Sequence, residues 1–135
     1  RFVTLLYGVL RPDGHLTYCN AGHNPPFLVG SSGVHRLETG GLIVGLFGGA
    51  EFEQEILQLQ AGDVVVVFTG GVSEVLSKDG EEFGDDRILE AIRANQDAST
   101  QAMLEAVFES VAEFTIGAEQ NDDMTAMVVR YLGDG

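Results

Sequence analysis

The stretch VVVVFTGGVSEV, Val64 to Val75, organises the reading of this chain. Val64 to Phe68 are apolar without interruption and rich in valine, the composition of a strand buried on both faces. The run stops at Thr69-Gly70-Gly71, which predicts a tight turn at a strand end. Such turns are places where a rigid sheet mounts chemistry. The chain holds 21 acidic residues against 7 basic ones, yet none stands at this strand end. Two readings follow: an active-site turn without its reactive group, or a turn and nothing more.

Working outward, AGD (Ala61–Asp63) turns the chain into this strand. FEQEILQLQ (Phe52–Gln60) alternates in part, with Ile56 out of phase with Leu57 and Leu59, and reads as a strand. Further upstream, FVTLLYGVL (Phe2–Leu10) and HLTYCN (His15–Asn20) flank RPDG (Arg11–Gly14), a turn signal, and predict a hairpin. FLVG and VHRLE flank SSG (Ser31–Gly33) and predict another. AGHNPPF (Ala21–Phe27) cannot be helix, because Pro25 and Pro26 remove donors and fix the backbone.

Downstream the period changes. GDDRILEAIRANQ (Gly84–Gln96) places Ile88, Leu89 and Ile92 at helical spacing, with Asp85 and Asp86 at the positive end of the helix dipole. In STQAMLEAVFESVAEF (Ser99–Phe114), Leu104, Val107, Phe108, Val111 and Phe114 form one core-facing stripe. Ser99 or Thr100 caps its start and Gly117 lies just past its end. NDD (Asn121–Asp123) then leads into a closing strand, MTAMVVRYL (Met124–Leu132). Six or seven strands, two helices and a last strand predict an α+β fold, an antiparallel sheet covered by helices.

The length of 135 residues suits one domain, 1–135. A net charge of −14 repels phosphate backbones and anionic lipid, so nucleic acid and anionic membranes are poor candidates as partners and no membrane insertion is expected. No apolar run approaches the ~18 residues of a membrane helix, and no signal peptide is visible. Cys19 stands alone and reads as a packed strand residue; the lack of disulfides fits a reducing, cytoplasmic setting. The chain opens at Arg1 inside an apolar strand pattern, as expected of a piece of a longer protein.

Several familiar sites are absent. GGLIVGLFGG (Gly40–Gly49) has no Gly-Lys-Ser/Thr and no Gly-x-Gly-x-x-Gly order, so it is a tightly turned or flexible connection. The three histidines and one cysteine give no zinc spacing. No nucleophile-elbow pattern is present. Glu81, Glu82, Glu90, Glu105 and Glu109 read as solvated surface. Asp122 and Asp123 differ, because they stand immediately before a strand. If that strand is an antiparallel neighbour of Val64–Phe68, Gly70 and Asp122 reach one sheet edge. There a carboxylate cluster would suit a hard cation such as Mg²⁺ or Mn²⁺, or the two acids are simply exposed in a turn. His23 in AGHNPP is either a proton-transfer group or part of a rigid turn; the prolines and glycine favour the turn.

FVTLLYGVLRPDGHLTYCNAGHNPPFLV, AGDVVVVFTGGVSEVLSKDGEEFGDDRILEAI and NDDMTAMVVR, in that order from Phe2 to Arg130, resemble the bacterial SpoIIE-like branch of the PPM metal-dependent protein phosphatases, relatives of protein phosphatase 2C. The resemblance implies a β-sandwich flanked by helices in α-β-β-α layering, with the N-terminal part of the domain missing here. It implies hydrolysis of phosphoserine or phosphothreonine, using two Mn²⁺ or Mg²⁺ ions and a metal-bound water rather than a catalytic side chain. It implies a phosphorylated anti-sigma-factor antagonist as partner, and regulation of sigma-factor availability as output.

The same resemblance assigns metal positions. Asp122 matches the ligand before the closing strand, and Asp123 stands beside it. The Thr-Asp-Gly turn of the family is Thr69-Gly70-Gly71 here, so Gly70 occupies a ligand position without a side-chain oxygen. The family's Asp-Gly pair precedes its FVT strand and is not in this sequence. Glu74 lies close enough in sequence to reach back. Two expectations result: a portion of a phosphatase domain, or a catalytically impaired pseudophosphatase that binds a partner. Under either, the chain as it stands is expected to be a poor enzyme. Open sheet edges would offer a route to a homodimer.

Overall fold

A computed structural model describes residues 3–41, 43–45, 48–119 and 123–134. In chain order the elements are β1 (Leu5–Leu10), β2 (His15–Ala21), β3 (Phe27–Gly30), β4 (Gly33–Arg36), β5 (Gly40–Gly41), β6 (Glu55–Gln58) and β7 (Val64–Phe68). These are followed by α1 (Gly70–Ser73), α2 (Gly84–Ala94), α3 (Thr100–Phe114) and β8 (Ala126–Arg130). This is the expected α+β order, with α1 as an addition where only a turn was foreseen. The chain groups into two compact units, residues 1–65 with 130–135, and residues 66–129.

In the first unit, β1 and β2 form the predicted hairpin, registered from Leu5↔Ala21 to Leu10↔Leu16. RPDG makes its turn: Gly14 N donates to Arg11 O at 2.9 Å, and Arg11 N donates to His15 O at 2.9 Å. Gly14 has φ of 90°, the left-handed conformation such a bulged turn needs. β6 pairs with β2 antiparallel, from His15↔Gln58 to Tyr18↔Glu55.

β5 pairs with β2 in parallel, Asn20↔Gly40 and Ala21↔Gly41, so this sheet is mixed where an antiparallel one was expected. The cause is local. A Cβ on Gly40 would overlap the Asn20 carbonyl oxygen, and one on Gly41 would come within 2.7 Å of Glu51 O. Gly40 lets the backbone pass alongside the end of β2, and Gly41 lets it pass Glu51 and Phe52, close approaches only glycine permits. The start of the glycine-rich stretch is therefore a closely packed strand rather than a turn or a loose connection.

Alternation along β2 sorts the two faces of this sheet. Leu16 and Tyr18 pack with Leu37, Leu59 and Tyr131 into a buried cluster, which Leu28, Leu57 and Val65 extend. Leu5, Tyr7 and Val9 register opposite Ala21, Cys19 and Thr17, on the other face, together with Ile56. There Tyr7 is 62% and Ile56 60% exposed. Tyr131 also donates its hydroxyl to Pro12 O at 2.6 Å, tying the end of the chain to the first hairpin.

The second sheet has the order β4-β3-β7-β8. β3 and β4 form the second predicted hairpin, from Phe27↔Arg36 to Gly30↔Gly33. Arg36 stacks its guanidinium 4.7 Å above the Phe27 ring. β7 alternates as a half-buried strand does, with Val64, Val66 and Phe68 inside and Val65 and Val67 only partly covered.

In the second unit, α2 buries Ile88, Ala91 and Ile92 and carries Asp85 and Asp86 in its first turn. Phe83, fully buried in front of it, meets Phe114 edge-on at 5.4 Å. Ser99 caps α3: its Oγ accepts from Ala102 N at 3.0 Å. Beyond the helix Gly117 takes φ of 84°, as expected past a helix end. The buried line of α3 is Met103, Val107 and Val111, whereas Leu104, Phe108 and Phe114 are only half-buried. The apolar stripe is thus wider than the surface α3 covers. Among the described residues, no helix is long and apolar enough to cross a membrane.

Candidate metal-site turn and comparisons with known proteins

The turn after β7 is held by the entry to β8. Thr69 N donates to Thr125 O at 2.9 Å. Thr125 N returns a bond to Thr69 Oγ1 at 3.2 Å, and the same hydroxyl lies 3.4 Å from Thr125 O. At the other end of this strand pair, Tyr131 N donates to Asp63 O at 2.9 Å and Gly62 N to Tyr131 O at 2.7 Å. Moving forward along one strand moves backward along the other, so β7 and β8 are antiparallel. The condition set by the sequence, that these strands be antiparallel neighbours, is met.

Thr69 has extended backbone, φ −89° and ψ 163°, and stands at the N-cap of α1 without a side-chain cap bond. Its hydroxyl is spent on Thr125 instead. Gly70 and Gly71 then turn directly into α1, closed by Val72 N to Thr69 O at 3.0 Å and Glu74 N to Gly70 O at 2.8 Å. Gly70 therefore has helical backbone, a conformation open to any L-residue. An aspartate fits the backbone here, and glycine is not demanded by it.

Asp123 is exposed, next to Thr125 in the strand entry, and Glu74 is exposed at the end of α1. Asp122 lies outside the described residues. Among the described residues, no group of three or more His, Cys, Asp or Glu side chains is placed to hold a metal ion. Two adjacent hard cations require several oxygens and bridging carboxylates. Gly70 supplies no side-chain oxygen and the Thr69 hydroxyl is engaged, so the described residues do not by themselves make a dinuclear site.

His23, in the first unit, sits in a local web. Asn20, buried, donates Nδ2 to Leu37 O at 3.0 Å and accepts from His23 N on Oδ1 at 2.8 Å. The His23 ring bonds Asn24 O through Nδ1 at 2.7 Å. A carbonyl only accepts, so Nδ1 carries the proton in this arrangement. These bonds are what a rigid turn requires, and they support the structural reading of AGHNPP.

A further polar cluster in that unit was not foreseen. Tyr18 donates its hydroxyl to Glu55 Oε1. His35 Nε2 and Thr39 Oγ1 each lie 3.4 Å from the same oxygen. Thr39 N donates to the Tyr18 hydroxyl at 3.3 Å. The Tyr18 hydrogen bond, aided by His35 and Thr39, holds the Glu55 carboxyl below its ordinary pKa. Burial, followed by the hydrogen bond to Glu55, raises that of Tyr18. Only the fold joins these residues, and no local pattern announces them.

The family profile described as stage II sporulation protein E (SpoIIE) matches residues 1–132. Protein IcfG of Synechocystis is 35% identical over 130 residues, covering 95% of this chain and 20% of that protein. Phosphoserine phosphatase RsbU of Bacillus subtilis is 29% identical over 132 residues, covering 96% of this chain and 39% of that protein. Among solved structures, the PP2C phosphatase domain of SpoIIE from Bacillus subtilis, determined with a fragment of its regulatory domain, superposes with a TM-score of 0.73 at 24% identity. That match covers 94% of this chain and 37% of the other. The chain thus spans a minor part of the length of these relatives. With a matching profile over nearly its whole length and the fold of a PP2C phosphatase domain, the chain belongs to the SpoIIE family, in the SpoIIE-like branch of the PPM phosphatases.

Proposed function

We propose that this chain is a portion of a regulatory protein Ser/Thr phosphatase domain, residues 1–135 forming one partial PPM domain. The carrying observation is the match along residues 1–132 to a family that includes phosphatase domains. The named activity of RsbU, a phosphoserine phosphatase, points the same way. The substrate class is a phosphorylated protein such as an anti-sigma-factor antagonist, in the cytoplasm. Asp122, with Asp123 beside it, would contribute carboxylate oxygens to Mn²⁺ or Mg²⁺. An open sheet edge would serve a homodimer.

Gly70 favours a second reading. Its backbone is helical, a conformation open to any L-residue, so glycine is not held there by conformation. A ligand position without an oxygen is what an impaired, partner-binding pseudophosphatase would carry.

Gly70→Asp in the full-length parent protein separates the two. Mn²⁺ binding is measured by calorimetry and phosphate release from a phosphorylated antagonist is followed beside wild type. Under the impaired reading wild type binds Mn²⁺ weakly. The variant then gains of order 100-fold in activity, since even residues that merely support metal ligands are worth 10–100-fold. Tight metal binding and full activity in wild type would sink the impaired reading. Absence of metal-dependent phosphatase activity in both proteins would sink the phosphatase reading.

A further inference from the structure

The outer surface of α3 carries three parallel rows at a spacing of four residues. Glu105, Glu109 and Glu113 form an acidic row, and all three are exposed. Leu104, Phe108 and Ala112 run beside it as an apolar row. On the other side Ala106 and Ser110 form a row of small residues.

Each flank of the acidic row is a depression. Leu104, Phe108 and Ala112, with Glu105 and Glu109, line one of about 360 Å³. Ala106 and Ser110, with Ala91 and Ala94 of α2 and with Glu109 and Glu113, line one of about 450 Å³. Glu109 borders both.

Two features of this surface conflict with a merely solvated helix face. Carboxylates four apart repel and weaken a helix, yet α3 repeats them over two intervals and contains no lysine or arginine. Leu104 and Phe108, in the apolar row, are only partly covered. Arg87 also lines the larger depression, but its hydrogen bonds go elsewhere: it donates to Glu82 O, Phe83 O and Glu81 Oε1, and stacks 4.4 Å above Phe114. Glu90, also exposed, adds a further carboxylate to the rim of the larger depression.

We propose that the α2–α3 surface docks a basic amphipathic helix of a protein partner. Its apolar residues, four apart, would cover Leu104 and Phe108, and its lysines or arginines would meet Glu105, Glu109 and Glu113. Apolar contact supplies the adhesion, and the charge row sets orientation and rejects acidic partners. This surface is independent of the turn at Gly70, so the proposal stands whether or not the chain supports catalysis.

The test uses a short fluorescein-labelled helical peptide with leucines at i and i+4 flanked by lysines, titrated with the full chain by anisotropy. Two control peptides carry glutamates for the lysines, or glutamines for the leucines. The lysine–leucine peptide is expected to bind, to weaken several-fold when salt is raised to 0.3 M, and to outcompete both controls. Glu109→Lys is expected to weaken binding about tenfold or more, and Glu109→Gln less. Circular dichroism checks that both variants keep wild-type helicity and melting. Glu53→Lys makes the same change in net charge outside these two depressions and is expected to leave binding unchanged. The proposal is overturned if the lysine–leucine peptide does not bind, if either control binds equally well, or if Glu53→Lys weakens binding as much as Glu109→Lys.

Discussion

At the residue scale, the same physical question has different answers at two glycines. Gly40 is required, because any side chain would collide with the backbone of β2. Gly70 stands in helical backbone and is not conformationally required. Both are plain glycines next to another glycine in the sequence, so this distinction was invisible before the pairing was known. Tyr18 and Glu55 illustrate the opposite gain, a polar contact built from distant residues. The depressed Glu55 pKa makes its contribution pH-dependent. The stabilisation is present above the unfolded carboxylate value of about 4.3 and is lost as pH falls through the lower folded value. Tyr18→Phe removes the main cause of the depression. The expected loss is about 1 kcal/mol at pH 7, below the usual range for a hydrogen bond to a charged group because Glu55 is a third exposed. The difference between variant and wild type should shrink toward pH 3 in urea titrations at several pH values. A loss of equal size at pH 7 and pH 3 would assign the effect to packing instead.

At the element scale, the hairpins and the two long helices were legible because local signals agree with one another. Arg11–Gly14 carries the turn chemistry of its hairpin, and Ser99 carries the cap of α3. Ser99→Ala leaves Ala102 N without its partner and is expected to cost about 1 kcal/mol, read as a lower thermal midpoint with unchanged native helicity. Thr100→Ala serves as the control, since Thr100 lies inside the helix and should change stability by less. The helix face was read less well. Periodicity placed Leu104 and Phe108 in the core with Val107 and Val111, but an apolar stripe records only which side is apolar. How much of it α3 buries depends on where its neighbours lie, and Met103 rather than Leu104 points inward. β5 was missed for a related reason: two residues of parallel pairing leave no alternation to detect.

At the scale of the whole molecule, a charge of −14 on 135 residues means that folding gathers like charges. Self-repulsion opposes the compact state and is screened by salt. Raising ionic strength from about 0.01 to 0.15 M shortens the screening length from about 30 to 8 Å. The thermal midpoint is therefore expected to rise by a few degrees in scanning calorimetry over that range. A midpoint that falls would mean that specific ion pairs such as Arg87–Glu81 outweigh the bulk repulsion.

The α+β class, the order of strands and helices, and the family were all readable from residue patterns. Turn glycines, prolines, caps and apolar periods act over a few positions and so are written in local sequence. The end of the strand before Gly70 was readable too, since the apolar run stops at Thr69. Pairing across long separations was decided by tertiary structure. Thr69 is joined to Thr125, and Tyr18 to Glu55, by strands whose meeting depends on the packing of the whole chain. The same packing leaves the acidic and apolar rows of α3 facing outward, because burial is a property of neighbours and no single segment encodes its own.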